Sequence, residues 1–225
     1  MSGAEKESAL VVLSGGQDST TCLYWALDRY GVANVSTLTY NYGQRHRIEL
    51  ECARSIADLA GVKNIVLPID TFSALGGNAL IDDDVEVPIG IAVDDDLPNT
   101  FVPGRNLIFL TFAAAFAYQT GAKHLVTGVA QTDYSGYPDC REETLQALQQ
   151  ALRLGMEFAV EIHTPLMNLS KKQTVELAQQ LGAMPAMALT HTCYNGVRPP
   201  CGECPACLLR ARGFAEAGYD DPLLV

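Results

Sequence analysis

The segment 9–20, ALVVLSGGQDST, constrains this chain more than any other. The apolar run at 9–13 reads as a short buried strand. It passes straight into Ser14-Gly15-Gly16, and a helical pattern follows with Leu23, Ala26, Leu27 and Tyr30 on one face and Gly31 as its stop. Glycine has no Cβ, so such a turn lets backbone approach a ligand closely. The helix then aims its first amides at that ligand, and its dipole favours an anion there. The loop therefore reads as a phosphate grip, with hydroxyls from Ser14, Ser19 and Thr20 as further donors. Asp18 is out of place among phosphates, where a lone carboxylate is repelled. It needs either a bridging Mg²⁺ or an N-cap-like role holding the loop's own amides. A P-loop is excluded because Gly-x-x-x-x-Gly-Lys-Ser/Thr is missing, and a dinucleotide fingerprint because Gly-x-Gly-x-x-Gly does not follow the first strand.

The same rhythm continues. Strands are expected at 35–40 and 65–69, with a helix over 48–59 between them, closed by Gly61. After a break come a helix at 105–119, a strand at 124–129, a helix at 141–154 and a strand at 161–164. Ser170 is an expected N-cap for a helix that runs to Leu181, with Gly182 as its stop. The alternation predicts a doubly wound, Rossmann-like α/β fold around a mainly parallel five-stranded sheet. A chain of 225 residues suits one such domain, placed at 1–185, with 186–225 as a small C-terminal extension rather than an independent domain. The break at 76–103 carries Asp82-Asp83-Asp84 and Asp94-Asp95-Asp96 and reads as an exposed excursion, with a lid or metal-binding edge as the alternative.

Charge narrows the partners. The formal net charge is -11, and the densest basic cluster is the short Arg45-His46-Arg47, so nucleic acid is not an expected partner. The longest apolar run, 107–118, contains Thr111 and falls short of the roughly 20 residues a bilayer requires. With no targeting segment in view, a cytoplasmic protein is expected.

Of seven cysteines, Cys22, Cys52 and Cys140 are scattered, while Cys193, Cys201, Cys204 and Cys207 cluster. Four thiolates at this spacing suit tetrahedral zinc, closed on all sides and hence structural, one ion per chain. An iron–sulfur cluster also takes four cysteines, but the further Cys-Pro of ferredoxin-like runs is missing after Cys207. Pro205 is placed to start a helix over 206–216 that carries Cys207.

Three polar segments lie at expected strand or helix ends: 41–46 (NYGQRH), 101–106 (FVPGRN) and 133–141 (DYSGYPDCR). The last mixes aromatics, carboxylates and an arginine, which suits a flat heterocycle bearing an acid group. The Ser-Gly-Gly-x-Asp-Ser loop resembles that of the N-type ATP pyrophosphatases, a family that uses ATP to activate a substrate oxygen. The stretches SGGQDSTTC, YGQRH, NTFVPGRN, the TGV strand end at 127–129 followed by TDYSGYPDCR, TPLM with Lys171 after it, and TCYNG with CGECPAC, spread over 14–212, resemble the 7-cyano-7-deazaguanine synthase family.

That resemblance implies conversion of 7-carboxy-7-deazaguanine and ammonia to the 7-cyano compound, with ATP and Mg²⁺ consumed at the loop and Zn²⁺ in the tail. Leu13, Ser14, Gly15, Gly16, Gln17, Asp18, Ser19, Thr20, Thr21, Cys22 and Leu23 are the implied ATP-binding residues. Tyr42, Gln44, Arg45, Arg105, Asp133, Tyr134, Ser135, Gly136, Tyr137, Asp139 and Arg141 are implied for the deazaguanine. Asp18, Ser19, Lys171 and Arg105 are the implied catalytic groups, the two cations neutralising charge that develops on phosphate. His46 reads equally as a proton relay or a structural residue, while His124 and His163 read as core or surface positions. A homodimer is expected for a compact enzyme of this kind. Two rival readings are a related tRNA-thiolating enzyme, disfavoured by the charge, and a nucleotide sensor with a zinc knob, which leaves 133–141 unexplained.

Overall fold

A computed structural model of the chain describes residues 7–44, 48–74, 79–80, 85–90, 97, 99–131 and 137–225. Arg45, His46, Asp133, Tyr134, Ser135 and Gly136 lie outside the described residues, as do both acidic triplets. The five strands are β1 (Ala9–Val12), β2 (Val35–Asn41), β3 (Lys63–Pro68), β4 (His124–Val126) and β5 (Glu161–His163). They form one sheet in the order β3-β2-β1-β4-β5, with every neighbouring pair parallel. The helices are α1 (Gln17–Tyr30), α2 (Ile48–Ala60), α3 (Arg105–Thr120), α4 (Glu142–Met156), α5 (Lys171–Gln180), α6 (Met184–Met187) and α7 (Pro205–Ala217).

β1 is central, and its composition shows why. Ala9, Val11 and Leu13 point to one face and pack with Cys22, Leu23 and Ala26 of α1 and Ala53, Ile56 and Ala57 of α2. Leu10 points to the other face and meets Ala113, Ala114 and Ala117 of α3. A strand covered on both faces must be apolar at every position, which is what the 9–13 run supplies. The three alanines let α3 lie close to the sheet. The strand order reverses beside β1: the next strand in sequence lies on one side and β4 on the other. Such a reversal opens a crevice at the carboxyl ends of the two strands.

The element boundaries differ from the sequence reading in ways that matter for the crevice. α1 begins at Gln17 rather than Thr20. Gly16 is its N-cap, and the Ser19 and Thr20 hydroxyls donate to the Gly16 carbonyl at 3.1 and 2.8 Å, so Asp18 and Ser19 belong to the first helical turn. β4 ends at Val126, because the chain at Gly128 turns to meet α1. α6 has no periodic signature in the sequence and was not foreseen there.

α5 starts as the sequence predicts. Ser170 Oγ accepts from the Gln173 amide at 3.3 Å while Gln173 Oε1 accepts from the Ser170 amide at 2.9 Å, a capping box worth about 1 kcal/mol. α7 packs on α5 with Gly213 at the contact, where an added Cβ would lie 3.0 Å from Lys171 Cβ. Arg210, buried in α7, forms two hydrogen bonds with Asp221 at 2.6 and 2.7 Å and reaches the Thr190 and Thr192 hydroxyls at 2.7 and 3.0 Å. Removing one member of a buried pair leaves the other charge uncompensated. Asp221→Ala should therefore cost about 3–5 kcal/mol in urea unfolding; a change within about 0.5 kcal/mol, the usual range for a surface substitution, would show that the pair does not anchor the tail.

Candidate functional site

The crevice at the strand reversal holds a cavity of about 330 Å³. One wall is the Ser14–Ser19 turn. Gly15 has φ 90°, and a Cβ there would sit 2.4 Å from the Glu49 carbonyl oxygen, so two features exclude any larger residue. The Gly15 carbonyl accepts from the His191 amide at 2.9 Å, which ties the loop to the 190s segment. Ser14 Oγ and Ser19 Oγ lie 3.0 Å apart, and the Gly16 amide donates to Ser14 Oγ at 3.3 Å. From the far side Gly128 presses on α1: a Cβ there would lie 2.8 Å from the Ser19 amide nitrogen. The loop and the first turn of α1 are thus each fixed against a second backbone.

Asp18 faces the cavity from that turn. Its Oδ2 accepts from Lys171 Nζ at 2.7 Å, while its buried Oδ1 has no hydrogen-bond partner among the described residues. The Gln17 Nε2 is also buried with no partner among them. No side chain caps α1, so the N-cap role considered for Asp18 is not the one it plays. An orphaned carboxylate oxygen beside a lysine and a helix N-terminus has the chemistry to hold a hard cation shared with phosphate oxygens. Of the residues predicted for this role, Leu13, Ser14, Gly16, Gln17, Asp18 and Ser19 line the cavity. Thr20, Thr21, Cys22 and Leu23 are fully buried behind it. The Thr20 and Thr21 hydroxyls bond to the Gly16 and Gln17 carbonyls, and the Cys22 thiol donates to the Thr127 carbonyl at 3.5 Å. These residues hold the grip from behind.

The opposite wall is aromatic and cationic. Tyr42, Gln44, Arg105, Asn106, Phe109 and Tyr194 line it. Gln44 closes the turn after β2, accepting from the Tyr42 amide at 2.9 Å and donating to the Tyr40 carbonyl at 3.2 Å. The Arg105 guanidinium stands 5.9 Å from the Tyr42 ring centroid. Burial works against its charge, but Tyr42, Tyr137, Tyr194 and Asp139 hold its pKa above the usual arginine value. Tyr137 and Asp139 support this wall from behind. The Tyr137 hydroxyl is 2.6 Å from Thr100 Oγ1, and Asp139 Oδ2 accepts from the Asn106 backbone and side-chain amides at 3.0 and 3.1 Å. Arg141 is exposed at the start of α4, outside the cavity lining.

Sequence reasoning missed Glu49 and His191, and it read Gly128 only as part of the TGV strand end, with no role at the site. Glu49 lines the cavity, where burial pushes its carboxyl up to about 7 against the pull of Arg105. Only its place in the first turn of α2, just after the 41–46 segment, hinted at this. Gly128 acts through a backbone contact, which no side-chain pattern announces, and His191 through its amide to Gly15 and its ring Nε2, 2.8 Å from the Cys193 carbonyl.

The four-cysteine cluster lies beside this wall, joined to it through Tyr194. The Sγ atoms of Cys193, Cys201, Cys204 and Cys207 all lie within 4.8 Å of one another, and those of Cys201 and Cys207 are 3.9 Å apart. Zinc–sulfur bonds of about 2.3 Å in a tetrahedron require edges of about 3.8 Å, so the set fits zinc. The Cys201 and Cys204 amides point at Cys193 Sγ and Cys201 Sγ at 3.5 and 3.4 Å, as groups that stabilise thiolate ligands do. Part of the 76–103 excursion folds onto the cluster: Val87 packs against it and the Gly90 amide donates to the Glu203 carbonyl at 3.0 Å.

The family model for queuosine biosynthesis protein QueC matches residues 8–218. The chain belongs to the QueC family. It is 70% identical over 224 residues to the 7-cyano-7-deazaguanine synthase of Chromobacterium violaceum, covering 100% of this chain and 96% of that protein. The synthase of Laribacter hongkongensis is 64% identical, covering 98% and 95%, and that of Bacillus subtilis 51% identical, covering 94% and 95%. Among solved structures, a 4-thiouridine synthetase–RNA complex with bound ATP superposes with a TM-score of 0.54 at 16% identity, over 97% of this chain and 48% of that one. That likeness speaks for the Rossmann-like fold alone.

Two outcomes follow from the site. The native state favours protonated Glu49, so its contribution to stability is full below about 4.5 and is lost as pH rises through about 7. Glu49→Gln should flatten the fall in Tm across that window; an unchanged slope would remove Glu49 as its source. Cys204→Ser should lower the zinc content measured by elemental mass spectrometry and lower Tm, since structural zinc contributes roughly 10–16 kcal/mol of apparent binding free energy. Unchanged Tm at reduced zinc would show the metal to be dispensable for the fold.

Proposed function

We propose that this chain makes 7-cyano-7-deazaguanine from 7-carboxy-7-deazaguanine and ammonia, at the expense of ATP, in queuosine biosynthesis. The observation that carries the reading is one cavity with a phosphate-type wall, Ser14–Ser19 with Asp18 and Lys171, facing an aromatic and cationic wall, Tyr42 with Arg105. Membership of the QueC family supplies the substrate.

The chemistry explains why one cavity suffices. A carboxylate resists attack by ammonia until one oxygen becomes a leaving group. Attack of that oxygen on the α-phosphate of ATP, with loss of pyrophosphate, turns it into one. Ammonia then displaces AMP and leaves the amide. Activating the amide oxygen in the same way, followed by loss of AMP and two protons, gives the nitrile. Both rounds act through an oxygen on the same carbon, so the base need not move between walls.

In this reading the amides of Gly16 and the first turn of α1 bind phosphate, and Asp18 would hold Mg²⁺, which would offset the phosphate charge. Lys171 and Arg105 offset charge developing on the phosphoryl oxygens. Tyr42 and Gln44 take the deazaguanine, with Arg45, Asp133, Tyr134, Ser135 and Gly136 as proposed partners; Asp139 fixes Asn106 and Tyr137 packs behind the same wall, while Arg141, outside the cavity lining, is proposed only for a substrate group that projects beyond it. Glu49 is placed to take a proton from the attacking nitrogen. Zinc held by the four cysteines would keep Tyr194 and the 190s segment against the cavity. We treat 186–225 as an extension of the 1–185 domain, a view supported by the packing of α7 on α5. We place the enzyme in the cytoplasm as a homodimer, a state favoured by Ile108 and Phe112, exposed one turn apart on α3.

The test is to incubate the zinc-loaded protein with ATP, Mg²⁺, ammonium and 7-carboxy-7-deazaguanine and to follow mass. The expected series is acid, amide, nitrile. Asp18→Ala should lower the rate by about 10²-fold or more while circular dichroism stays unchanged. Folded, metal-loaded protein that yields neither amide nor nitrile would refute the assignment.

A further inference from the structure

At the opposite rim of the sheet, away from the cavity, three potential metal ligands converge. His124 opens β4 and pairs in register with Glu161, which opens β5; His163 lies two residues further along β5. Side chains alternate along a strand, so all three project from the same face. His124 Nδ1 lies 2.9 Å from His163 Nε2 and 3.5 Å from Glu161 Oε2, and His163 Nε2 lies 3.8 Å from that oxygen. A small divalent transition metal bound at ~2.0–2.2 Å in a tetrahedron sets its ligands about 3.4 Å apart. The three separations bracket that value.

The surroundings have the form of a metal site. His124 Nε2 lies 2.8 Å from Glu7 Oε2. An N–H donated to that carboxylate leaves Nδ1 as a lone pair, and such a carboxylate–histidine contact is what orients metal-bound imidazoles. The Tyr30 hydroxyl, at the end of α1, lies 3.2 Å from His163 Nε2. With His124 Nδ1 as the acceptor, the 2.9 Å contact is an N–H of His163 Nε2 donated to it, and a metal taking both nitrogens replaces that hydrogen once His163 adopts its other neutral tautomer. The His124 and His163 side chains are only 11% and 14% exposed, which fixes their rings, while Glu161 is 51% exposed and leaves an entry from solvent.

We propose that His124, His163 and Glu161 form a second site for a divalent transition-metal ion, separate from the four cysteines, with two imidazoles, one carboxylate and a water as ligands. The ion ties β4 to β5 and, through the Glu7 contact of His124, to the segment before β1. It sits at the foot of the strand whose other end delivers Gly128 to the phosphate-type wall.

The test uses tag-free protein with zinc already on its cysteines, titrated with Co²⁺ by visible absorption and calorimetry. About one further equivalent per chain is expected, with d–d bands, no thiolate-to-cobalt charge transfer and a raised Tm. His163→Ala should abolish that equivalent and its Tm rise while the cysteine-bound zinc stays. Glu7→Gln should weaken it by about 10–100-fold. Should His163→Ala misfold, the half-exposed Glu161→Gln serves in its place and should lose most of the affinity. No added equivalent in the wild type, absorption with thiolate charge transfer, or a second equivalent that survives these substitutions would each overturn the proposal.

Discussion

The loop before α1 and the helix's first turn are each held against another backbone at a separation only glycine permits. On one side a Cβ at Gly15 would meet the Glu49 carbonyl at 2.4 Å; on the other a Cβ at Gly128 would meet the Ser19 amide nitrogen at 2.8 Å. These contacts fix where the free amides of the helix point and where Asp18 stands. They also join three elements, α1, α2 and the end of β4, that are distant in sequence. The loop wall of the cavity and the ion pair to Lys171 take their positions from this packing.

A second layer of constraint comes from the C-terminal part. Lys171 can meet Asp18 because the Ser170 capping box sets the start of α5 and because Gly213 lets α7 press against Lys171. Arg210 and Asp221 then lock α7 to the 190s segment, which carries His191 and Tyr194 to the cavity. The cysteine cluster stabilises the same segment from its other side. The tail therefore builds part of the cavity wall, and damage to its folding would appear in the chemistry as well as in Tm.

The aromatic segment shows where sequence reasoning reached its limit. Tyr42, Gln44 and Arg105 stand on the cavity, as their places after β2 and at the start of α3 suggested. Tyr137 and Asp139 have the same kind of side chain and the same kind of motif, yet their polar atoms turn to Thr100 and Asn106. A motif marks residues that belong to one site, but it does not separate those that touch a ligand from those that hold the touching residues in place. The reverse holds for Glu49 and His191. They lack a motif of their own and reach the cavity because α2 and the 190s segment pack beside the loop.

The sequence by itself determined the parallel α/β rhythm, the phosphate-type loop and the four-cysteine set. Each is encoded within a short stretch: apolar runs of strand length, glycine followed by a helical period, and thiols at metal spacing. Tertiary structure decided the rest. The start of α1 at Gln17, the partner of Asp18, the raised pKa of Glu49 and the meeting of His124 with Glu161 and His163 all depend on atoms far apart along the chain. Short-range pattern reports which faces are buried. It cannot report which of two distant backbones comes within 3 Å of a given amide, because that depends on how the layers close.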